Sequence, residues 1–332
     1  MHKALIPYQK KEVQEFTNRS SSVKPLVSII TITYNHIDYI QQCLDSLINQ
    51  DTNFEFEILL GDDCSNDGTR ELCIDYAKKY PSVIRLFLHE RENNIAIDGR
   101  PSGRFNYVYN FTKAKGKYIA VCEGDDFWVD SKKLQKQIDF LEINPTYSFC
   151  WTRFNVLNNS TGELQLDFNG KYFSDDSDIV DFDFERSLKG WHIGNLTLVY
   201  KKEWLDISIH NKFKYFRDIY IIAQLLKKGN GACLNFVGAH YRQHGSGIHS
   251  SISVFEGFKL GYFTHREIYK DNAKNKFLKR KYHLSFQNYV NALIVDRQLL
   301  KAFLLNFKFL FIVGDVILFL KHIKRIVKAI LR

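Results

Sequence analysis

One stretch of the chain restricts its fold more than any other, the apolar and β-branched run from Leu26 to Thr33 in PLVSIITITYN. A run without polar alternation predicts a β-strand that is buried on both faces, as in a parallel sheet. The residues that follow, HIDYIQQCLDSLINQ, place apolar side chains at helical spacing, and Asp38 is expected to cap that helix. A buried strand that leads directly into a helix indicates the beginning of a βαβ arrangement.

The same alternation continues to about residue 145. Strands are predicted at 56–60 (FEILL), in VIRLFLH and at 117–121 (KYIAV), and helices in ELCIDYAKKY, from Gly103 to Lys113 and in KKLQKQIDFLEIN. Strands and helices that alternate with short links predict an α/β fold, a Rossmann-like, doubly wound and mostly parallel sheet. In such sheets, ligands bind beyond the carboxyl ends of the strands.

Polar clusters follow three of these strands, at Thr33–Asn35, Asp62–Asp67 and Glu123–Asp126. The last cluster holds three carboxylates within four residues, and oxygen ligands of this kind bind hard divalent cations such as Mg²⁺ or Mn²⁺. The alternative is a solvated acidic turn before the next helix. The middle cluster allows a ligand-binding carboxylate at Asp63, and Asp67-Gly68-Thr69 has the composition of a turn and a helix cap.

The net charge, the absence of several motifs and the cysteine spacing disfavour several classes of function. The net charge of +9 favours an anionic partner, either a phosphorylated small molecule or an anionic membrane surface. The sequence has no nucleic-acid-binding motif, no GxGxxG and no GxxxxGK[ST], which disfavours nucleic acid, NAD-type and P-loop binding. The six Cys lack metal-ligand spacing and the N-terminus lacks the apolar segment of a signal peptide, so buried free thiols in a reducing cytosol are expected.

Four segments, LVSIITITYN, LLGDDCSNDGT, KGKYIAVCEGDDFW and KKLQKQIDFL, together resemble the nucleotide-binding half of inverting family-two glycosyltransferases with the GT-A fold. The resemblance covers about residues 25–145, with three motifs in the family's order. Glu123 stands where the family more often has the first Asp of its metal motif, which leaves Asp125 and Asp126 as the expected metal ligands. The resemblance implies a metal-dependent enzyme of the hexosyltransferase type that uses a nucleotide sugar, with a UDP-sugar favoured, in bacterial surface polysaccharide synthesis.

The resemblance also implies roles for single residues. Asp63 is expected to bind the nucleoside, Glu123 to face the ribose, and Asp125 to hold the metal that bridges the diphosphate. The further residues expected at the donor are Thr33, Tyr34, Asn35, Asn94 and Arg104. For Arg104, a surface charge on a helix is an equally good interpretation.

The acceptor half needs a general base, which in inverting members is an acid near the start of a helix after the metal motif. Asp218 in YFRDIYIIAQLLKKG opens a predicted amphipathic helix and is expected to be that base. Pure helix capping by Asp218 is the alternative, and Asp206 and the acidic run Asp175–Asp183 are competitors for the role.

Two further segments after residue 150 are candidates for substrate contact. The stretch HYRQHGSGIHS supplies Arg242, His244 and His249 in a loop that could close over a diphosphate, and a polar surface loop is the alternative. The segment GWHIGNLT (190–197) is expected to form a wall of the acceptor site, where Trp191 would stack on a sugar, although tryptophan is as often part of a core.

The domain organisation follows from these patterns. A loose lead-in is predicted for residues 1–24, a GT-A domain for 25–250 with a donor half (25–145) and an acceptor half (146–250), and a helical basic region for 251–332. In the last region Asn306, Lys308, Gly314 and Asp315 interrupt an apolar stretch, which disfavours a membrane-spanning helix.

A basic amphipathic helix that lies on an anionic bilayer is the preferred interpretation of this region. The alternatives are packing on the catalytic domain or against a second copy in a homodimer. A glycan or lipid-linked acceptor and a cytoplasmic location, peripheral on the inner face of the plasma membrane, agree with membrane contact. Two other classes stay open from the sequence, a nucleotidyltransferase on the same type of sheet and a non-catalytic basic membrane-binding protein.

Overall fold

The computed structural model describes residues 3–16, 24–174, 177–191, 193–245 and 252–331. The chain divides into two compact units, Met1–Gly247 and Ile248–Arg332. A single β-sheet organises the first unit. Its strands are β1 (Gln14–Phe16), β2 (Val27–Thr33), β3 (Phe56–Asp62), β4 (Ile84–Leu88), β5 (Tyr118–Val121), β6 (Phe127–Trp128), β7 (Phe149–Asn158), β8 (Leu164–Gln165), β9 (Ile179–Phe182), β10 (Val199–Lys201) and β11 (Gly231–Gln243).

The strand order is β1-β4-β3-β2-β5-β10-β7-β11-β6, with β8 paired to β7 and β9 to β11. The four strands β4, β3, β2 and β5 run parallel, in agreement with the sequence. After them the sheet is mixed, because β10 inserts antiparallel between β5 and β7, whereas β11 runs parallel to β7. The parallel half therefore carries the strand ends that the sequence marks with polar residues.

The helices of the first unit are α1 (Ile40–Ile48), α2 (Thr69–Lys79), α3 (Arg104–Lys113), α4 (Lys133–Ile143) and α5 (Asp218–Leu225). The residues of α1 that pack against the sheet, Ile40, Cys43, Leu44 and Leu47, recur at the spacing of one helix face, which is why this segment is helical. The predicted cap by Asp38 is wrong, because the N-cap position is Tyr39 and no side chain caps the helix.

The core lies on the parallel strands, where Val27, Ile29, Ile58 and Leu60 are fully buried. Strand β2 is buried on both faces over nearly its whole length, as its unbroken apolar sequence predicts. Each buried Val, Ile or Leu side chain contributes roughly 1.5–3 kcal/mol relative to an exposed one. Burial of this kind fixes the register of β2 and β3, and with it the positions of the residues that follow them.

The prediction of a loose lead-in over residues 1–24 is wrong for the described residues 3–16. Ala4 and Leu5 are buried, and β1 pairs antiparallel with β4, so it covers what would be an open sheet edge. The backbone N–H groups of Lys10 and Lys11 donate to Asn93 Oδ1 at 2.7 and 2.8 Å. Residues 1–2 and 17–23 lie outside the described part.

All six cysteines are free thiols, as expected. Five of them are buried, Cys43, Cys73, Cys122, Cys150 and Cys233, and Cys64 is half-buried. Burial raises the pKa of Cys150 to about 12 and also raises the pKa values of Cys73, Cys122 and Cys233. These thiols therefore stay protonated in the folded protein at neutral pH.

The second unit is helical, with α6 (Val254–Asp271), α7 (Lys276–Val295), α8 (Leu299–Val313) and α9 (Val316–Ile330). Its core is aromatic and aliphatic, and includes Tyr282, Phe286 and Phe309. Gly314 ends α8 in the left-handed conformation at φ +73°, and Asp315 caps α9 by accepting from the Leu318 N–H at 2.9 Å. Among the described residues, no helix combines the length and the apolar character that crossing a bilayer requires.

Candidate functional site

The carboxyl ends of β3, β2 and β5 meet because these strands are neighbours and run parallel. The Asp63 N–H donates to the Thr33 carbonyl at 2.9 Å, and the Gly124 N–H donates to the Ile32 carbonyl at 2.9 Å. A Cβ on residue 124 would lie 2.8 Å from both Cβ and Oγ1 of Thr33, so only glycine allows this approach. The three polar clusters identified in the sequence therefore form one edge.

Asp63 and its partners form one side of this edge. Its carboxylate accepts from Arg91 Nη1 at 2.5 Å and from Asn94 Nδ2 at 2.9 Å. The Arg91 guanidinium also lies 4.0 Å from the centre of the Tyr34 ring, which is 40% exposed. Burial raises the pKa of Asp63 to about 6, although the charge of Arg91 and the hydrogen bond from Asn94 oppose the shift. Tyr34, Asp63 and Asn94, which were all expected at the donor, thus lie together in the structure.

Arg91 is a site residue that the sequence reasoning missed. It begins the short 3₁₀ turn Arg91–Asn93, which follows β4 on the same edge of the sheet as Asp63. A signal was present, because β4 is a buried strand of the parallel set and Arg91 comes three residues after its last residue, Leu88. Polar residues after every parallel strand are candidates, not only those that match a motif.

Asp125 occupies the middle of the acidic loop. Its carboxylate lies 3.1 Å from His244 Nε2 and 3.8 Å from His36 Nε2, and its side chain is 20% exposed. Burial alone would raise the pKa of Asp125, but the hydrogen bond from His244 and the charges of His36 and His244 outweigh it, so the pKa lies below its usual value. Asp125 is therefore an ionised carboxylate with access to a ligand.

Asp126 lies differently, which corrects its predicted role as a metal ligand beside Asp125. It is only 2% exposed, and its Oδ1 accepts from the backbone N–H of Arg242 at 2.8 Å. Burial, together with the charges of Asp125 and Glu123, raises its pKa. The side chain therefore joins the acidic loop to β11 and does not point out with Asp125.

Arg242 belongs to β11 rather than to a loop that closes over a ligand, which corrects that prediction. Its Nε donates to the Asp125 carbonyl at 2.9 Å, and its Nη2 donates to Gln42 Oε1 at 2.5 Å. The guanidinium also contacts the ring of Tyr39. Arg242 thus holds the acidic loop against α1, while His244 reaches Asp125 directly. His249 lies outside the described residues.

Glu123 is half-buried at the start of the loop, beside the turn Asn195–Thr197. Its Oε1 accepts from Asn195 Nδ2 at 2.5 Å. Asn195 lies in the segment 190–197 that was expected at the acceptor, although the sequence did not single out this residue. Burial raises the pKa of Glu123 to about 7; the hydrogen bond from Asn195 opposes the shift, and the charges of Asp125 and Asp218 add to it. Asp218 therefore lies close enough to Glu123 for the two charges to interact.

Asp218 is the first residue of α5, and the N-cap position is Arg217, whose side chain makes no capping bond. Asp218 Oδ1 accepts from the N–H of Ile219 at 2.8 Å. The charges of Glu123 and Asp218 both add to burial in raising the pKa of Tyr107, which is a second indication that the two acids share one neighbourhood. Of the competitors, Asp206 caps the turn Ile207–Lys212, and Asp175 lies outside the described residues.

Side chains of α4 and β6 donate hydrogen bonds to the turn Asn195–Thr197. This turn places Asn195 beside Glu123. Trp128 Nε1 donates to the Leu196 carbonyl at 2.7 Å, and Gln137 Nε2 donates to the Thr197 carbonyl at 2.9 Å. Beneath them the fully buried Lys133 Nζ donates to Gln137 Oε1 at 2.7 Å and lies 3.7 Å from the Trp128 ring centre. Burial lowers the pKa of Lys133 to about 7.

Three predicted residues have other contacts than expected. Arg104 is buried, and its guanidinium donates to His210 Nδ1 at 3.2 Å and to the Lys214 carbonyl at 3.4 Å, so it supports the 207–214 segment rather than Asp63. Asn35 accepts from the Asn66 N–H at 3.0 Å and joins two turns. Trp191 stacks on Tyr172 at 4.2 Å, which occupies a ring face that was expected to meet a sugar.

Three buried polar atoms beside the acids have no hydrogen-bond partner among the described residues. They are Thr33 Oγ1, His36 Nδ1 and Asn195 Oδ1. Buried polar groups in folded proteins are nearly always paired with protein, water or a ligand. All three lie next to Glu123, Gly124 or Asp125, which indicates that this edge is built to receive a polar molecule.

The fold is that of GT-A glycosyltransferases. The crystal structure of S. aureus TarS 1-349 in complex with UDP-GlcNAc superposes with a TM-score of 0.55 at 17% identity, over 81% of this chain and 79% of that one. The mannosyltransferase PcManGT from Pyrobaculum calidifontis, in complex with GDP-Man and Mn²⁺, gives 0.51 at 14% identity, over 98% and 91%.

Sequence comparisons agree with the fold. The model of the family described as "Glycosyl transferase family 2" matches residues 28–196. The chain therefore belongs to glycosyltransferase family 2. An uncharacterised Mycobacterium tuberculosis protein is 36% identical over 40% of this chain, which spans only 36% of that protein's length.

Two longer matches carry functional names. The putative teichuronic acid biosynthesis glycosyltransferase TuaG of Bacillus subtilis is 28% identical over 74% of this chain and 89% of its own length. WfgD of Escherichia coli, described as a UDP-Glc:alpha-D-GlcNAc-diphosphoundecaprenol beta-1,3-glucosyltransferase, is 29% identical over 68% and 80%.

Proposed function

We propose that this chain transfers a sugar from a nucleotide-sugar donor, most simply a UDP-sugar, to a hydroxyl of a glycan or lipid-linked acceptor with inversion. The observation that carries the proposal is the electrostatic neighbourhood shared by Asp218, Glu123 and Asp125 at the carboxyl edge of the parallel strands. Family membership and the names of TuaG and WfgD support bacterial surface polysaccharide synthesis as the setting.

The donor's nucleoside is assigned to Asp63, Arg91 and Tyr34. The exposed Tyr34 ring offers a flat surface for a base, and the Asp63 carboxylate offers an acceptor for its N–H groups. Arg91, already between the two, keeps Asp63 ionised at neutral pH in spite of burial. A base of the uracil type, with one N–H between two carbonyls, matches one carboxylate flanked by one arginine.

The donor's diphosphate is assigned to the side of Asp125. A divalent cation, Mn²⁺ or Mg²⁺, fits this position because Asp125 is ionised and partly exposed. The described residues contain no group of three side chains able to cage a metal ion, so oxygens of the diphosphate would have to supply further ligands beside Asp125. When bound, such a cation would neutralise charge on the departing nucleoside diphosphate.

In the proposed reaction, Asp218 acts as the general base. Its carboxylate takes the proton of the acceptor hydroxyl as that oxygen forms a bond to the anomeric carbon. The bond between the anomeric carbon and the diphosphate oxygen breaks on the opposite face, and its electron pair leaves with the diphosphate. One displacement of this kind inverts the anomeric centre. Asp218 is partly exposed, so an acceptor hydroxyl can reach it, and it interacts electrostatically with Glu123 of the acidic loop.

Two variants test the assignment of the base. Asp218→Asn is expected to bind UDP-sugar as the wild type does and to lose transfer by at least a hundredfold, within the range of general-base contributions. Asp206→Asn is the matched control, because Asp206 is also an aspartate at the start of a helical turn but caps it through Ser208. Normal transfer by Asp218→Asn would refute its assignment as the base.

A thermal-shift panel tests the donor. UDP-, GDP- and dTDP-sugars are added with and without Mn²⁺, and the metal-dependent rise should appear with one nucleotide and disappear in Asp125→Asn. Asp130→Asn serves as a control, because Asp130 lies in the following turn, where it pairs with Lys136 on the surface. The absence of any shift with all three donors would remove the basis of the proposed function.

A further inference from the structure

The excess of positive over negative charge in the chain lies in its helical unit. Residues 248–332 hold 16 Lys and Arg against five Asp and Glu, whereas residues 1–247 hold 30 against 32. The net charge of +9 therefore does not come from the first unit, residues 1–247. Within residues 299–331, which form α8, α9 and their junction, six Lys and Arg stand against the single acid Asp315.

Helix α8 is apolar on two opposite sides. Twelve of its fifteen residues are apolar, and the exceptions are Lys301, Asn306 and Lys308. One side, with Ala302, Asn306 and Phe309, is buried in the core of the helical unit. A helix that is apolar all round is normally buried all round, and α8 is not.

The other side of α8 and the matching side of α9 form what we call the outer face. Its side chains are all exposed, and they are Leu300, Phe303, Leu304, Phe307 and Phe311 on α8 and Val316, Ile317, Leu320, Val327 and Leu331 on or next to α9. On α8 they recur at steps of three and four residues, so they form one stripe opposite the buried one. Exposed apolar side chains concentrated in this way mark an interaction site.

The orientation of the outer face is fixed by contacts between the two helices. Asn306 Nδ2 on α8 donates to the Phe319 carbonyl on α9 at 3.0 Å, and Asn306 Oδ1 lies 3.1 Å from His322 Nδ1. These buried polar groups hold the inner sides of both helices against the shared core, with Leu318 and Ile326 beside them. The apolar outer side chains therefore cannot turn inward without breaking buried hydrogen bonds.

Basic side chains border the outer face. Lys301 and Lys308 on α8 and Lys321, Lys324 and Lys328 on α9 are all exposed. Long lysine side chains can lie along an apolar surface and still keep the ammonium group at a polar boundary. An apolar stripe with cations along its margin is complementary to a layer with an apolar interior and anionic headgroups.

We propose that the outer face of α8 and α9 docks on the surface of an anionic lipid bilayer, with the Phe and Leu side chains in the acyl boundary and the lysines at the headgroups. Each helix has 15 residues, so its length is about 22 Å, less than the roughly 30 Å of a hydrocarbon core. The helices therefore lie in the interface and do not span the bilayer. This inference rests on the helical unit alone and does not depend on the proposed function.

Vesicle co-sedimentation of the full chain, without any donor, tests this proposal. Vesicles of phosphatidylcholine mixed with phosphatidylglycerol should bind the protein, vesicles of phosphatidylcholine alone should bind it much less, and added salt should weaken binding. Replacing Lys324 and Lys328 by Gln should lower the partition coefficient about fivefold per residue. The control is Lys270→Gln with Lys274→Gln, which removes the same charge from exposed positions outside the outer face.

The apolar contribution is tested with Phe311→Asp, which should weaken vesicle binding at least tenfold. Its matched control is Ile143→Asp on α4, because Ile143 is 76% and Phe311 75% exposed. Circular dichroism verifies that each variant is folded. Equal binding of Phe311→Asp and the wild type, or no binding to anionic vesicles, overturns the proposal. The proposal is also overturned if the wild type is a dimer and Phe311→Asp dissociates this dimer without changing vesicle binding. In that case a second copy of the chain, and not a bilayer, covers the outer face.

Discussion

Replacing Lys133 by methionine is expected to stabilise the protein, and to do so more at neutral than at alkaline pH. Lys133 is fully buried, and burial lowers its pKa from 10.5 to about 7. In the unfolded chain a lysine keeps a pKa near 10.4, so the unfolded state binds the proton more tightly than the fold does. The resulting cost to stability is complete below about pH 7 and disappears as the pH rises towards 10.5.

The magnitude follows from the size of the shift. At about 1.4 kcal/mol for each pKa unit, the buried amine costs about 4 kcal/mol of unfolding free energy at pH 7 and about 2 kcal/mol at pH 9. Methionine has a similar length and can keep the contact with the Trp128 ring. It leaves Gln137 Oε1 without its donor, which costs about 1 kcal/mol. The net expectation is a gain of about 3 kcal/mol at pH 7 and about 1 kcal/mol at pH 9.

Urea unfolding of the two proteins at both pH values, with a reducing agent present, measures this difference. Contributions from all other titrating groups cancel, because both proteins contain them. Lys136→Met on the exposed side of α4 is the control and should change little at either pH. If Lys133→Met destabilises the protein at pH 7, or has the same effect at both values, then Lys133 is charged and stabilised in the fold, and the reasoning is refuted.

Two further predictions concern the candidate site. The affinity for UDP-glucose, measured by calorimetry, should fall about tenfold per pH unit below about pH 6, because Asp63 has a pKa of about 6 and its protonation removes the ionised acceptor. The affinity of Asp63→Asn should not change with pH. A wild-type affinity that does not change with pH would argue against the assignment. Gly124→Ala should lower the unfolding free energy by about 1–3 kcal/mol, because the new Cβ overlaps Thr33. Gly261→Ala in α6 has no atom near the new Cβ and should raise the unfolding free energy by about 0.5–1 kcal/mol. Equal effects of the two substitutions in thermal melts would refute the steric argument.

The parallel half of the fold could be predicted because its signals are local. The run from Val27 to Thr33 is apolar at every position that the sheet buries, and α1 repeats its apolar residues at one helix face. Neighbouring parallel strands have their carboxyl ends at the same edge of the sheet. The position of Asp63 and Asp125 at one edge therefore follows from the strand pattern alone. The mixed half depends on pairing between distant residues, such as β10 between β5 and β7, which no local pattern encodes.

The division of work within the site could not be predicted, for a related reason. Asp125 and Asp126 are adjacent in sequence, and only the strand β11 decides that Asp126 turns inward to the Arg242 N–H. Likewise, Arg91 and Arg104 both follow β4, and the short turn after that strand decides that Arg91 reaches Asp63. Residue type indicates which side chains can bind a ligand, whereas long-range packing decides which of them do.

The buried thiols give this protein a set of internal reporters of local opening. The thiols of Cys73, Cys122, Cys150 and Cys233 are protonated and shielded in the fold, so a thiol reagent can reach each of them only after the surrounding structure has opened. Cys122 immediately precedes the acidic loop, Cys73 lies in α2, and Cys150 and Cys233 lie in β7 and β11. The labelling rate of each cysteine therefore measures the opening free energy of a different part of the first unit. A donor that binds at Asp125 would slow the reaction of Cys122 more than that of Cys233.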